Sequence, residues 1–354
     1  MSHAVPEFGG GRFFASDNAA GIHPAVLDAL RDANQGHALG YGNDAWTRRA
    51  VEVLRGHFGA GAEVLLVFGG TGANVVALRA AVDSHQAVIC SDHAHLYRDE
   101  CGAPERLVGC KLLPVAGVHG KITAAQARAH LWTRGGVHYA QPRLVSVSQA
   151  TECGTLYAPE ELRALADFAH DNGLLLHVDG ARLANAAAAL GTSLRALTAD
   201  AGVDLLSLGG TKCGLLGAEA VVLLRPELAE RAPFYRKQCA QLPSKSRFLA
   251  AQLTALYGGE LWRELAGHAN AMARRLADAV AGVVEPAHPV ETNAVFARLP
   301  EAAIAPLRER FIFNPWPPEP GLVRWMTSWD TRPEDVDAFG RAVREVVGGA
   351  ASRS

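Results

Sequence analysis

Three short segments hold residue types that could do chemistry together. In Gly209-Gly210-Thr211-Lys212 a lysine stands in a glycine-rich turn directly after the apolar run Asp204 to Leu208. A lysine stem packed against such a turn loses solvation, and its amine titrates lower and becomes a nucleophile toward aldehydes. An ordinary solvated loop lysine fits the segment equally well. The second segment, Val178-Asp179-Gly180-Ala181-Arg182, ends the apolar run from Leu174, which reads as a buried parallel strand finishing in a carboxylate. Asp179 either points into a crevice at the strand's carboxyl end, where open α/β sheets bind ligands, or caps the alanine-rich helix that follows. The third, Gly69-Gly70-Thr71-Gly72-Ala73-Asn74, lies between the apolar run Val64 to Phe68 and a helical pattern through Val75, Leu78 and Val82. Strand, glycine turn and helix start together make an anion site, because N–H groups converge there and the helix dipole favours negative charge.

A phosphate cradle, an acid at a strand end and a presented lysine are the parts that pyridoxal 5'-phosphate requires. The phosphate anchors the cofactor, the acid keeps the ring nitrogen protonated, and the lysine captures the aldehyde carbon. The order Gly70, Asp179, Lys212 fits the fold-type I enzymes that use it. A nucleotide-binding oxidoreductase would use the same glycine turn, with Asp92 as ribose-binding acid about twenty residues on. That reading lacks a full G-x-G-x-x-G and leaves Asp179 and Lys212 without a role.

The elements needed to position these residues follow from the hydrophobic pattern. Short apolar strands (residues 87–90, 112–115, 144–148, 174–178, 204–208 and 219–224) alternate with helices such as 159–172, which has proline in its first turn and Gly173 just past its end. Pro24 opens a helix to about Gln35, and Asp44 caps another that Gly59 stops. This alternation predicts an α/β domain with a mostly parallel sheet and crossover helices. After Pro226 the pattern changes to longer helices (246–257 and 261–280), short strands (294–299 and 322–326) and a terminal helix, 333–347. We therefore expect a large cofactor-binding domain over 1–245 and a small α+β domain over 246–354.

Composition narrows the function classes. A chain of 354 residues, 49% apolar, can bury a large core, and a net charge of −2 from 34 basic and 36 acidic residues argues against a nucleic-acid partner. The first residues lack a basic and apolar leader pattern, and no apolar run is long enough to cross a bilayer, which predicts a cytoplasmic protein. Cys90, Cys101, Cys110, Cys153, Cys213 and Cys239 are scattered without a C-x-x-C pair, so no disulfides are expected. Cys90, His93, His95 and Cys101 could in principle ligate zinc, but their spacing matches no standard set, and we expect no metal.

The chain resembles the low-specificity threonine aldolases and phenylserine aldolases of the aromatic amino acid β-eliminating lyase superfamily. The likeness rests on Ala15-Ser16-Asp17-Asn18, Tyr41-Gly42, Gly70-Thr71-Gly72-Ala73-Asn74, Ala94-His95, the run Asp99 to Glu105, Gln149-Ala150-Thr151-Glu152, Asp179-Gly180-Ala181-Arg182 and Gly209-Gly210-Thr211-Lys212. It implies the fold-type I architecture, with Gly70, Thr71 and Gly72 on the phosphate of pyridoxal 5'-phosphate and His95 on its ring. It further implies Asp179 at the ring nitrogen, Lys212 as the covalent attachment, and Ser16, Arg182 and Arg324 on the substrate carboxylate. Tyr41 and Arg247 would reach a neighbouring subunit's site, Arg247 toward the phosphate, in a homotetramer. The implied reaction is retro-aldol cleavage of a small β-hydroxy-α-amino acid to glycine and an aldehyde. β-Elimination or serine hydroxymethyl transfer would need only a different aligned bond. The base for the β-hydroxyl stays open between His95 and a water, and His93 has no assigned role.

Overall fold

A computed structural model of the chain describes residues 13–351. The first part of the chain forms α1 (Pro24–Ala33), α2 (Ala45–Phe58), β1 (Glu63–Val67), α3 (Gly70–Ala81), β2 (Gln86–Ser91), α4 (His95–Arg98), β3 (Lys111–Val115), α5 (Ala124–Arg128) and β4 (Gln141–Ser148). Then follow α6 (Pro159–Asp171), β5 (Leu175–Gly180), α7 (Leu183–Ala189), β6 (Leu205–Leu208), β7 (Glu219–Leu223), α8 (Ala232–Gln238), α9 (Arg247–Tyr257) and α10 (Leu261–Val280). The chain closes with β8 (Ala294–Arg298), α11 (Glu301–Arg308), β9 (Asn314–Pro315), β10 (Leu322–Met326) and α12 (Pro333–Ala351).

Local chemistry explains the boundaries. Asp44 accepts a hydrogen bond from Thr47 N at 2.8 Å, satisfying an orphan donor at the start of α2. Gly59, with φ of 116°, ends that helix in a conformation other residues avoid. The predicted elements fall within a few residues of these bounds, whereas α4, α5, α8, α11 and β9 carry too little pattern to be read from sequence.

The large sheet runs β1-β7-β6-β5-β4-β2-β3. Strands β3, β2, β4, β5 and β6 pair in parallel, as the alternation with helices predicts. Strand β7 is antiparallel to both β6 and β1. The connection 209–218 explains this, because it is shorter than the dozen or so residues that a parallel crossover requires. Two reversals in succession return β1 to the direction of the parallel set. The carboxyl ends of β1, β5 and β6 therefore lie on one edge, and the three segments singled out in the sequence leave from that edge.

A second sheet, β8-β10-β9, is antiparallel. Its core joins Val295, Trp325, Phe313 and Phe339 with Leu276 of α10 and with Phe14, which stacks on Phe339 at 4.6 Å between ring centroids. Phe14 also donates from its N–H to Ile312 O at 2.7 Å and accepts from Met326 N at 2.8 Å. The segment before α1 is thereby tied to the small sheet. Residues of α9 and the first turns of α10, such as Leu249, Leu253, Trp262 and Leu265, belong instead to the core under the large sheet, while Met272, Leu276 and Val280 belong to the small one. The two cores therefore meet along α10. The 20 residues of α10 make one continuous helix shared by both cores, which no local signal reveals. Among the described residues no helix is long and apolar enough to cross a membrane.

At the shared edge the backbones pack too closely for side chains. Gly209 N donates to Gly180 O at 3.0 Å, and a Cβ on Gly209 would sit 2.3 Å from Ala181 O. Because that neighbour is main chain, the strand ends themselves would have to separate. Gly209→Ala is expected to destabilise the fold by about 1–3 kcal/mol, the usual cost of overpacking, read as a lower midpoint in chemical denaturation.

Candidate active site

A cavity of about 260 Å³ opens where the large sheet's edge meets the small sheet, lined by Ser16, His95, Glu152, Arg182, Lys212 and Arg324 among others. Five of these come from five separate segments of the chain. Ser16 precedes α1, His95 begins α4, Arg182 and Lys212 follow β5 and β6, and Arg324 lies on β10.

Lys212 sits in the turn after β6. The Glu219 carboxylate at the start of β7 fixes that turn by accepting from Gly210 N at 2.7 Å. The Arg182 guanidinium, and then burial, push the lysine amine below its ordinary pKa. A like charge and desolvation both favour the neutral, nucleophilic form. The turn thus presents a tuned amine in place of a solvated surface lysine.

Arg182 is held by Asp17 in a two-pronged pair, Nε to Oδ2 at 2.7 Å and Nη2 to Oδ1 at 2.9 Å. Asn293 Nδ2 donates to the same Oδ2 at 3.1 Å. Burial alone would raise the pKa of Asp17, but the charge and hydrogen bonds of Arg182 outweigh it and hold the carboxyl below its usual range. Arg324 has a different environment. It stacks on Trp316 at 4.6 Å from the ring centroid and donates from Nη2 to Ala15 O at 3.1 Å, but its buried Nε has no partner among the described residues. Burial and the neighbouring Arg182 push its pKa down to about 10. A buried guanidinium with an idle donor and a cationic neighbour calls for an anion in the cavity.

Asp179 ends β5 beside the cavity. It accepts from Asn74 Nδ2 at 2.8 Å and from Ala181 N at 3.0 Å. Burial raises its pKa, but these hydrogen bonds and the nearby His95 and Lys212 prevail and hold the carboxylate ionised below its ordinary value. Asp179 does not cap α7, whose N-cap position is Arg182, because its contact with Ala181 N lies before the helix. Asn74 also donates to Glu100 Oε1 at 2.8 Å, and Glu100 Oε1 faces His95 Nδ1 at 2.9 Å. That hydrogen bond raises the His95 pKa above its ordinary value against the opposing effect of burial.

Gly70, Thr71 and Gly72 form the first turn of α3, where Ala73 N, bonded to Gly69 O at 2.9 Å, is the first donor to bond back along the chain. The preceding N–H groups have no carbonyl within the helix. A Cβ on Gly72 would lie 2.2 Å from the Gln241 side-chain Cδ, so the glycine leaves room for that amide. Gln241 itself accepts from Phe68 N at 3.2 Å. The cradle and Asp179 are not among the residues lining the 260 Å³ cavity, but Asn74 of α3 links them to it.

Tyr41 and Arg247 are not brought to this cavity. Tyr41 is 51% exposed, its N–H donating to Ser244 O at 2.9 Å, and Arg247 Nη1 donates to Gly36 O at 3.2 Å. Segments 36–41 and 244–247 thus lie side by side. Of the zinc candidates, Cys90 is buried in β2, Cys101 is exposed, and His93 Nδ1 lies 3.8 Å from Cys153 Sγ. No group of three or more His, Cys, Asp or Glu among the described residues is arranged to hold a metal.

The sequence reading missed Asp17, Asn74 and Glu152 as site residues. All lie inside the motifs it used, but their parts depend on partners far along the chain, such as Asp17 with Arg182.

Comparison with known proteins agrees in one direction. Residues 14–302 match the beta-eliminating lyase family. A low specificity L-threonine aldolase of Pseudomonas aeruginosa is 45% identical, covering 95% of this chain and 98% of its own length. One from Pseudomonas sp. is 42% identical, covering 94% and 97%. The solved structure of a threonine aldolase from Leishmania major superposes with a TM-score of 0.90 at 29% identity, over 95% of this chain and 99% of that one.

Glu219 gives the site a pH signature. Burial lifts its pKa from 4.5 to about 7. The folded state therefore holds this proton where the unfolded chain has lost it, so stability falls as pH rises from 4.5 to about 7. Chemical denaturation across that range should show a smaller fall for Glu219→Gln than for the wild type.

Proposed function

This chain belongs to the beta-eliminating lyase family, and on that premise we propose that it is a pyridoxal 5'-phosphate-dependent aldolase. Its substrates would be L-β-hydroxy-α-amino acids such as threonine, allo-threonine or phenylserine, cleaved to glycine and an aldehyde. The observation that carries this reading is the pairing of a lysine amine held below its ordinary pKa with two guanidinium groups in one cavity, one of them with an idle buried donor.

The residues present fit the cofactor. The open first turn of α3 at Gly70, Thr71 and Gly72 offers N–H donors suited to its phosphate. Asp179, kept ionised by Asn74 and the Ala181 N–H, suits a protonated ring nitrogen. Lys212 supplies the amine for its aldehyde carbon, and His95 the contact at the ring. When bound, the cofactor supplies an electron sink that stabilises negative charge at the substrate's Cα.

The protein's own groups then select the bond that breaks. Arg182 is locked in place by Asp17, and Arg324 lines the same cavity. With Ser16 they would grip the substrate carboxylate, and a carboxylate fixed from two sides fixes the direction of the Cα–Cβ bond. The partly enclosed cavity limits water around the developing charge, which strengthens these contacts. Orientation by these arginines distinguishes aldol cleavage from elimination in this reading.

Tyr41 and Arg247 stay outside the cavity of their own chain, in a patch that also exposes Leu39 (73% accessible). This supports their assignment to a neighbouring subunit's site in a homotetramer. A cytoplasmic location is part of the same proposal, and accords with the free cysteines.

Three experiments test the reading. The purified protein incubated with pyridoxal phosphate should turn yellow, and its absorption band should shift on adding glycine. Lys212→Ala should lose threonine cleavage while keeping the wild-type circular dichroism; cleavage by that variant without added amine would refute the assignment. Arg324→Ala should raise KM for threonine by about ten- to a hundredfold, the loss expected for charge-assisted hydrogen bonds, as measured by aldehyde release.

A further inference from the structure

Glu152 stands in the loop after β4 and lines the cavity together with Lys212, Arg182 and Arg324. Its two oxygens are not equivalent. Oε1 accepts from Ser148 Oγ at 2.6 Å and from His95 N at 2.8 Å, whereas Oε2 is buried and has no partner among the described residues. A carboxylate oxygen left bare in this way is costly unless a ligand completes it. Because Oε1 is already engaged by two donors, any proton the group carries belongs on Oε2.

Resting on the aldolase reading, we propose that Glu152 is the catalytic base for the substrate's β-hydroxyl, acting through Oε2. In the cleavage direction the β-oxygen's O–H bond breaks and its proton passes to Oε2. The oxygen's electron pair closes the aldehyde C=O as the Cα–Cβ bond breaks, and the bonding pair remains at Cα until a proton quenches it. In the reverse direction the Glu152 carboxylic acid returns its proton to the aldehyde oxygen. No external oxidant or reductant is needed.

The surroundings suit this role. Burial raises the Glu152 pKa, and the neighbouring Asp179 carboxylate adds to the effect, against the hydrogen bonds from Ser148 and His95 N. A carboxylate destabilised in this way is a stronger base than an exposed one, with its proton affinity moved toward neutral pH. The charged or titratable groups around it include Asp179 from β5, Arg182 beyond it, His95 of α4, the Cys90 and Cys153 thiols and the Tyr157 phenol, with Asp99, Lys212 and Arg324 lining the same cavity. His95, the alternative, has its Nδ1 committed to Glu100, a contact that keeps its ring protonated to higher pH.

The test separates β-hydroxyl chemistry from everything else the site does. Glycine has no β-oxygen, so exchange of its Cα proton for deuterium needs the cofactor, the lysine and the arginines but not this base. In the protein loaded with pyridoxal phosphate, Glu152→Gln should lower kcat for L-threonine cleavage by about 10²–10⁴-fold, the range of general base catalysis. It should do so with little change in KM and no matching loss of glycine exchange followed by NMR. The acidic limb of the kcat profile should also vanish. In protein without added cofactor, infrared titration of the wild type minus Glu152→Gln should reveal a carboxylic acid band persisting above the ordinary glutamate range. A parallel loss of cleavage and exchange, or undiminished cleavage, would overturn the role of Glu152 alone, as would a Glu152 ionised throughout the ordinary range. Wild-type protein that exchanges glycine but cleaves no β-hydroxy amino acid would overturn the aldolase reading and this role with it.

Discussion

The whole site depends on one constraint of direction: the carboxyl ends of β1, β5 and β6 must lie on the same edge of one sheet. Strand β7, squeezed in between β1 and β6 and antiparallel to both, secures this. Were β1 to point the other way, the open N–H groups of α3 would face the opposite edge from Asp179 and Lys212. Asn74 could not then join Glu100 to Asp179 with a single amide. The glycines at this edge follow from the same constraint, since the main chains after β5 and β6 approach too closely for a Cβ at residue 209. Local strain tolerance and global topology meet in one turn, and that turn carries the lysine.

The second sheet contributes charge as well as closure. Phe14 docks in its core, which carries Ser16 and Asp17 to the large sheet's edge. There Asp17 meets Arg182 in a pair that is largely shielded from water. Such a pair gains little net stability over an apolar contact, because desolvating both charges offsets their attraction. Its value lies in fixing the guanidinium's orientation. Arg324, by contrast, keeps a buried Nε that has no partner among the described residues. Arg182 also depresses the Lys212 amine, so one guanidinium serves both the recognition of an anion and the activation of a nucleophile.

The acids of the site divide by the company they keep. Asp17 and Asp179 are buried, but cationic and N–H donors hold them ionised. Glu152 and Glu219 are also buried, with weaker donors, and are raised instead. Burial is common to all four; the number and charge of hydrogen-bond donors decide the direction. Groups of similar chemistry can thereby serve as a permanent anion, a proton carrier or a structural clamp within one edge of a fold.

The sequence alone determined the elements, because apolar period, proline and glycine punctuation and capping residues act over a few positions. It also marked Gly70, Thr71, Gly72, Asp179 and Lys212, since each follows a strand whose pattern is local. Family resemblance added Ser16, His95, Arg182 and Arg324, which the fold does gather at one cavity. It could not reveal that α10 serves two cores, that β7 runs backward, or that Glu152 keeps one oxygen bare. Those properties belong to pairs of residues such as Asp17 with Arg182, 165 positions apart. Only the tertiary structure decided them, because distance, burial and hydrogen-bond partners are set by the packing of remote segments and leave no periodic trace in either one.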